Sequence, residues 1–166
     1  MRLRMSPMLV LVPVLLAWAP CASAQDKPIG VSLGYAFAKY LEQDAGSAPV
    51  GAYLSVAGTK AFSLELDLGW QRDSEERVVL NTFTATAGPR FRGRTGSARP
   101  FLHALGGVRY DTVEGESNTS WGGQAGGGVD VGLGDKVALR LGADFQIFFD
   151  QGENVKTLRL AAGLTF

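Results

Sequence analysis

The sequence predicts an all-β protein, an eight-stranded antiparallel up-and-down transmembrane β-barrel that follows a cleaved signal peptide. Three observations support this fold class. Most of the chain alternates apolar residues with polar or small ones, which is the period of a strand with two different faces. An apolar segment near the N-terminus has the features of an export signal. The last predicted strand carries its apolar face to the final residue, Phe166, which is unusual in a soluble domain because termini fray.

The N-terminal segment predicts export from the cytoplasm. Arg2 and Arg4 precede an apolar run that Pro13 interrupts, and the small residues that end at Ala24 fit the positions that a signal peptidase recognises. The run is too short and too interrupted for a membrane-spanning helix. We therefore assign residues 1–24 as a signal peptide.

The remainder, residues 25–166, is predicted to be one outer-membrane β-barrel domain, with no further domain after it. Cys21 raises one alternative, a lipoprotein processed at that cysteine, although Pro20 stands where such processing expects a small residue. If cleavage follows Ala24, the only cysteine leaves with the signal, and the mature chain forms no disulfide. Loss of two signal arginines leaves a small net negative charge, which argues against a general nucleic-acid binder.

Eight segments show the alternation that membrane-crossing strands require. Each is 10–15 residues long, which is enough to cross a bilayer when the strand is tilted. The predicted strands are residues 30–39, 49–58, 61–73, 79–92, 100–110, 121–133, 136–150 and 155–166. After the signal, no apolar run is long enough for a transmembrane helix, so membrane residence requires a closed barrel.

Connections and aromatic residues predict which end of the barrel faces outward. Short turns alternate with connections that are mostly longer and acidic, at residues 40–48, 72–77, 111–120 and 150–153. Both termini lie on the side of the short turns, as in outer-membrane barrels. Aromatic residues then form two belts at the two ends of the strands, as interfacial aromatics do. The outer belt comprises Phe37, Trp70, Tyr110, Trp121 and Phe149, and the inner belt comprises Phe62, Phe91 and Phe166.

The polar faces of the strands carry equal numbers of acids and arginines. These residues are Glu65, Asp67, Asp130 and Asp144, with Arg90, Arg109, Arg140 and Arg159. An eight-stranded barrel has room inside only for side chains, and charges removed from water need partners. An arginine that faced lipid near the midplane would cost about 2–4 kcal/mol. We therefore predict an ionic plug in the lumen, in which Arg109, Arg140 and Arg159 pair with acids of this set.

Three segments resemble the bacterial outer-membrane protein β-barrel domain typified by the small OmpA- and OmpX-like barrels. They are residues 100–110 (PFLHALGGVRY), 124–131 (QAGGGVDV) and 139–145 (LRLGADF). The resemblance covers essentially the whole mature chain and implies residence in the bacterial outer membrane. His103 and Leu105 replace small residues that are usual in the motif.

The last eight residues, 159–166, resemble the C-terminal signal by which outer-membrane barrels are recognised for insertion. Arg159, Leu164 and Phe166 fit that pattern, whereas Ala161 stands where glycine is common. The resemblance implies the barrel-assembly machinery as a partner. The predicted outer connections are acidic and the inner turns basic, which suits an outer surface bridged to lipopolysaccharide through divalent cations.

No residue pattern predicts a catalytic, cofactor-binding or metal site. His103 is the sole histidine and could serve a lipid-modifying barrel enzyme as a base, but its inward position favours a role as a lumen side chain. Asp111, Glu114 and Glu116 could gather a divalent cation, but solvated loop charges are the simpler interpretation.

The leading functional prediction is a non-enzymatic outer-membrane protein with a structural or surface-interaction role and a side-chain-plugged lumen. One alternative is a small porin-like channel, which would require the ionic plug to open. Another alternative is a soluble periplasmic lipocalin-like carrier, whose apolar faces would line the barrel and whose polar faces would meet water. Ion conductance distinguishes the first alternative from the leading prediction, and cell fractionation distinguishes the second.

Overall fold

The chain forms a closed antiparallel β-barrel in which each strand pairs with the next and the last pairs with the first. The computed structural model describes residues 29–41, 49–75, 78–95, 97–113, 116–134, 136–150 and 153–166. The strands are β1 (Ile29–Tyr40), β2 (Val50–Gly58), β3 (Phe62–Glu75), β4 (Val78–Arg92), β5 (Ala98–Val113), β6 (Glu116–Gly132), β7 (Ala138–Asp150) and β8 (Glu153–Thr165). The predicted signal peptide and the domain boundary after Ala24 lie outside the described residues.

Side chains alternate between the outside and the lumen along every strand, in the phase predicted from the sequence. Large apolar side chains cover the outside, and several are mostly exposed, such as Leu64 at 72%, Trp121 at 70% and Leu102 at 68%. Buried polar and charged side chains fill the inside, which is the reverse of a water-soluble barrel. Tyr53, which lies on the opposite face of β2 from its apolar residues, points inward and is buried. Among the residues described, no helix is long and apolar enough to cross a membrane.

Three of the predicted outer connections are much shorter than the sequence pattern indicated. The β5–β6 ladder continues to the pair Val113↔Glu116, the β3–β4 ladder to Glu75↔Val78 and the β7–β8 ladder to Asp150↔Glu153. The prediction of a long connection over residues 111–120 was therefore wrong. Backbone hydrogen bonds extend β3, β5 and β6 into segments that are mostly polar, so the apolar alternation used to set their boundaries ends before these strands do.

Register places the aromatic residues in the two belts that were predicted. At the outer end, Trp70 lies opposite Phe83, which in turn lies opposite Tyr110. Trp121 lies opposite Phe149 farther around the barrel. At the end that carries the chain termini, which we call the inner end, the rings of Phe62 and Phe91 are 5.0 Å apart between centroids. Between the belts the outward faces are mostly aliphatic or small, with Tyr35 and Phe145 as aromatic exceptions, and this apolar band suits the hydrocarbon region of a bilayer.

The barrel closes between β1 and β8, the first and last strands of the chain. Their register runs from Ser32↔Thr165 to Tyr40↔Thr157. Phe166 continues the ladder beyond β8, because its backbone nitrogen donates to the carbonyl oxygen of Val31 over 2.8 Å and its own carbonyl oxygen accepts from the Val31 nitrogen over 3.2 Å. The final residue is therefore part of the seam that closes the wall.

Candidate functional site in the barrel lumen

The middle of the lumen holds a cluster of eight charged or ionisable side chains, each at most 8% exposed. The members of this central cluster are Glu65, Asp67, Arg90, His103, Asp130, Arg140, Asp144 and Arg159. They come from six of the eight strands, β3 to β8, and alternation on each strand is what directs them inward. The contacts divide the cluster into a lower group near the inner end and an upper group above it.

The lower group is built around Asp130 and Arg140. Arg140 forms a fork with the Asp130 carboxylate, donating from Nε to Oδ1 over 2.7 Å and from Nη2 to Oδ2 over 3.2 Å. Arg140 Nη1 lies 3.3 Å from Glu65 Oε1, across the lumen on β3. Arg90 donates to Asp130 Oδ2 over 3.1 Å and its Nε lies 3.7 Å from Glu65 Oε2. Ser55 also donates to Glu65, so both lower carboxylates are bound from more than one strand.

An aromatic ring lies beside both guanidinium groups of the lower group. Phe101 points into the lumen and is 4% exposed. The guanidinium carbon of Arg90 lies 4.2 Å from the ring centroid and that of Arg140 lies 4.7 Å from it. Each cation therefore gains an interaction with the ring while a carboxylate balances its charge. Phe101 lies two residues before His103 on β5, so strand alternation places both side chains in the lumen. No role was predicted for this ring from the sequence.

Glycines on the neighbouring strands β6 and β7 make room for the Phe101 ring. Gly128 lies opposite Phe101 in the β5–β6 register, and a Cβ on Gly128 would lie 2.9 Å from the ring carbon Cζ. A Cβ on Gly142, which pairs with Gly128 on β7, would lie 3.9 Å from the same carbon. The abundance of glycine on the lumen face thus has a packing reason at this level, despite the cost of glycine within a strand.

The upper group is built around Arg159. Its Nε and Nη2 donate to Asp144 Oδ2 over 2.9 and 2.7 Å, and its Nη1 donates to Asp67 Oδ1 over 2.7 Å. Gln124 Nε2 lies 3.5 Å from the same Asp67 oxygen. Gln146 in turn donates to Gln124 Oε1 over 2.7 Å. These amides continue the polar filling of the lumen toward the outer end.

His103 links the lower group to the upper group. Its Nδ1 lies 2.8 Å from Glu65 Oε2, and its Nε2 lies 2.8 Å from Asp144 Oδ1. Sequence reasoning placed this side chain in the lumen but gave it no partners, because its contacts come from strands far away in the sequence. With both ring nitrogens held by carboxylates, His103 is not arranged as a base toward a serine hydroxyl.

The prediction for Arg109 was wrong in its partner. Arg109 faces the lumen and is buried, but it lies above the central cluster, near the outer end. It donates to Asp111 from Nε over 2.7 Å and from Nη2 over 2.9 Å, and to the Tyr40 hydroxyl over 3.0 Å. Asp111 was assigned to an outer loop, whereas β5 continues through it. Two residues apart on one strand, Arg109 and Asp111 share the lumen face, so this pair satisfies itself locally.

The predicted pairings of the other arginines are confirmed as contacts. Arg140 and Arg159 both pair with acids of the predicted set, and Arg90 joins them. The charge balance of the central cluster differs from the predicted one, however, because Arg109 is elsewhere. Three arginines and one histidine now face four carboxylates.

Little open space remains at the inner end of the central cluster. A cavity of about 20 Å³ lies there, and its lining includes Arg90, Arg92, Arg99 and Asp130. Such a volume holds about one water molecule. Within the described part of the chain, no group of three or more His, Cys, Asp or Glu side chains is placed to hold a metal ion. Asp111, one of three acids considered for a cation, is bound by Arg109 as described above, and Glu114 lies outside the described residues.

The apolar exterior and the charged lumen agree with the family of proteins that the chain matches. The model of the family described as "Outer membrane protein beta-barrel domain" matches residues 8–166. The chain belongs to this family. It is therefore an integral β-barrel protein of the bacterial outer membrane, and lipid and lipopolysaccharide are its surroundings. No curated protein sequence matches it significantly.

Solved structures of small outer-membrane barrels share this fold. Neisserial surface protein A is 17% identical, with a TM-score of 0.72 over 84% of this chain and 96% of that one. Ail, the attachment invasion locus protein of Yersinia pestis, is 21% identical, with a TM-score of 0.52 over 83% and 97%. OprG from Pseudomonas aeruginosa is 11% identical, with a TM-score of 0.55 over 82% and 93%. At these identities the likeness concerns the fold alone.

Proposed function

We propose that this protein is a non-enzymatic outer-membrane barrel with a structural or surface-interaction role, and that its central cluster seals the lumen. The observation that carries the proposal is the set of buried ion pairs that crosses the barrel from β3 to β7 and β8. Arg140 spans to Glu65 over 3.3 Å and Arg159 spans to Asp67 over 2.7 Å. Side chains that bond across the full width of the lumen occupy the path that a solute would need.

The alternative of a porin-like channel requires these pairs to separate. Each carboxylate of the central cluster is held by at least one cation, and breaking such a pair leaves a buried charge without compensation. In an eight-stranded barrel the wall cannot widen to let an ion pass beside intact pairs, because the interior is only wide enough for side chains. The closed arrangement therefore favours a barrel that does not conduct.

Conductance in planar lipid bilayers tests the seal. We expect purified wild-type protein, folded and inserted, to give no stepwise current above that of the bare membrane. An open porin in the same membrane serves as the positive control, and protease protection of the inserted barrel shows that silence does not reflect failed insertion. Regular ohmic steps from the wild-type barrel would refute the sealed lumen and favour the channel.

The outer end offers the surface for an interaction role. β3 continues five residues past Trp70 of the outer belt, to Glu75, which corresponds to roughly 15 Å of strand. β5 and β6 also pass the belt, to the pair Val113↔Glu116. We propose that these hairpins, which extend past the outer belt, present the surface by which this protein contacts its surroundings.

We also propose that the protein is exported and cleaved after Ala24. Cys21 then leaves with the signal, so a cysteine introduced into the mature chain is its only one and can be labelled without background. Ser117, exposed near the outer end of β6, is replaced by cysteine in one variant, and Arg94, exposed at an inner turn, in a matched one. In intact cells a membrane-impermeant maleimide should label S117C and not R94C. Label on R94C alone would reverse the proposed orientation. In detergent-lysed cells, label on the unmutated protein would show that Cys21 is retained as a free thiol.

The partner we propose for biogenesis is the barrel-assembly machinery, through residues 159–166. This segment ends at the seam where Phe166 bonds to Val31, so the strand that closes the barrel is also the one with the terminal aromatic. A signal on the closing strand would be accessible only until the wall is complete. The substitution Phe166→Ala tests this proposal.

A further inference from the structure

The eight members of the central cluster balance in charge among themselves only if His103 carries a positive charge. Arg92, at the inner end, lies 3.9 Å from Asp130 Oδ2 and is not among the contacts of the imidazole, whose partners are Glu65 and Asp144. Its four carboxylates are Glu65, Asp67, Asp130 and Asp144, and its three arginines are Arg90, Arg140 and Arg159. Arg109, which would have supplied a fourth arginine, is held by Asp111 nearer the outer end. A buried carboxylate without a compensating cation is costly. A cationic histidine removes that deficit.

The geometry of the imidazole ring leads to the same state independently. A neutral imidazole has one N–H donor and one nitrogen lone pair, whereas the imidazolium donates from both nitrogens. Here both nitrogens lie 2.8 Å from carboxylate oxygens, Nδ1 from Glu65 and Nε2 from Asp144. In either neutral tautomer one nitrogen lone pair would face a carboxylate oxygen at hydrogen-bond distance. With Glu65 and Asp144 both ionised, the doubly protonated ring is the state that satisfies both contacts.

We propose that His103 is a buried imidazolium that holds the two halves of the lumen cluster together, and that its deprotonation at alkaline pH loosens the barrel from within. The link spans from Glu65 on β3 to Asp144 on β7, so it braces opposite walls. Loss of the proton converts one of the two bonds into a repulsive contact and leaves four carboxylates facing three cations. This device rests on the closed lumen of the proposed function and adds a pH-dependent element to it.

The other groups around His103 fix the direction of the pH effect. The titratable or charged side chains that face this level of the lumen are Tyr53 from β2, Glu65 and Asp67 from β3, Arg90 and, through Asp130, Arg92 from β4, Asp130 from β6, Arg140 and Asp144 from β7 and Arg159 from β8. On its own strand, the Phe101 ring lies 5.7 Å from the imidazole between centroids. Carboxylates and guanidinium groups keep their charge from neutral to moderately alkaline pH, and a tyrosine such as Tyr53 ordinarily ionises only at about pH 10, so a change of His103 below that pH is the one that unbalances the cluster.

The protonation state can be observed directly, because His103 is the only histidine of the chain. Tag-free protein with isotope-labelled histidine is folded in micelles, and the ring nitrogen and carbon shifts are recorded as the pH is raised. We expect one imidazole with both nitrogens protonated at neutral pH, and a change to a neutral tautomer only at alkaline pH. A neutral tautomer in the folded barrel at neutral pH would overturn the proposal.

The consequence for the barrel is measured by denaturant unfolding of wild-type protein and His103→Gln. Glutamine has a single donor group, its amide NH2, which cannot replace both ring nitrogens, and it cannot take a charge. This variant should therefore have a folding equilibrium constant lower by about tenfold at neutral pH, the size expected for a lost bond to a charged group. Raising the pH should lower the unfolding midpoint of the wild type toward that of the variant. Equal pH dependence of both proteins would refute the link. Conductance steps at neutral pH with the imidazolium present would instead refute the sealed lumen alone.

Discussion

Arg159 lies directly opposite Asp144 in the β7–β8 register and donates two hydrogen bonds to its Oδ2, over 2.9 and 2.7 Å. Neighbouring strands are thus fastened by a charged pair inside the barrel as well as by their backbone ladder. The third nitrogen of the same guanidinium reaches Asp67 on β3. One arginine therefore ties the last strand both to its neighbour and to the opposite wall, which makes it the best place to test the energetics of the lumen.

We expect Asp144→Ala to destabilise the barrel strongly. The change leaves Arg159 with only Asp67 and removes one carboxylate from His103. Breaking a buried pair in this way costs about 3–5 kcal/mol, less if water enters the lumen. The double variant Asp144→Ala with Arg159→Ala should cost less than the sum of the single variants, by about 0.5–3 kcal/mol. Equilibrium unfolding in detergent or lipid gives all four free energies, and a coupling of zero would contradict the pairing.

Arg109→Ala provides the matched comparison, since it removes a buried arginine that belongs to a different pair. Its loss should expose the charge of Asp111 near the outer end and lower the free energy of unfolding by a smaller amount, because Asp111 is partly accessible. Combined with Asp111→Asn, the change should be less than additive. Combined with Asp144→Ala, the change should be additive within about 0.5 kcal/mol. Strong coupling between Arg109 and Asp144 would show that the lumen is a single network.

The sequence predicted the wall of the barrel better than the contents of its lumen. Strand alternation depends on a local period of two, so the facing of Arg140, Arg159 and Tyr53 followed from parity alone. The partners of those residues depend on which strands face each other across the lumen and on their stagger, and neither is encoded locally. Arg109 shows the consequence. Strand alternation correctly predicted that it faces the lumen, but its position near the outer end brings it to Asp111 and not to the predicted acids.

The outer ends of the strands were also not predicted from the sequence. The boundary of β5 was placed at Tyr110 because apolar residues stop there, whereas the ladder continues to Val113. A strand in water needs no apolar face as long as its backbone groups are paired. Hydrophobic alternation therefore reports where the membrane ends, and the sequence had no local signal for how far the hairpins continue beyond it.

Gly128→Ala should destabilise the barrel although it adds only one methyl group. The new Cβ would lie 2.9 Å from the Phe101 ring and closer still to the Leu141 carbonyl oxygen of β7, so both the β7 backbone and the ring beside Arg90 and Arg140 must shift. We expect a loss of about 1–3 kcal/mol, as for overpacking of a filled interior. Gly106→Ala is the control, because its Cβ would point outward with its nearest neighbour 3.8 Å away. Equal unfolding midpoints for the two variants would argue against a filled lumen at the level of Phe101.

Phe166→Ala tests the terminal segment as an assembly signal and separates that role from stability. The substitution keeps the backbone bonds between residue 166 and Val31, so the seam of the purified barrel can still close. We therefore expect refolding into detergent with nearly wild-type yield but a several-fold loss of folded protein in the outer membrane, measured by heat-dependent migration in electrophoresis. Phe62→Ala removes a comparable ring from the same inner belt, where the side chain is 58% exposed, and should leave the cellular yield nearly unchanged. If both variants lose yield alike, the loss reflects the interfacial belt, and the assembly signal at Phe166 is rejected. If only Phe166→Ala loses yield in cells while both refold in vitro, recognition of the last residue during assembly is the remaining physical cause.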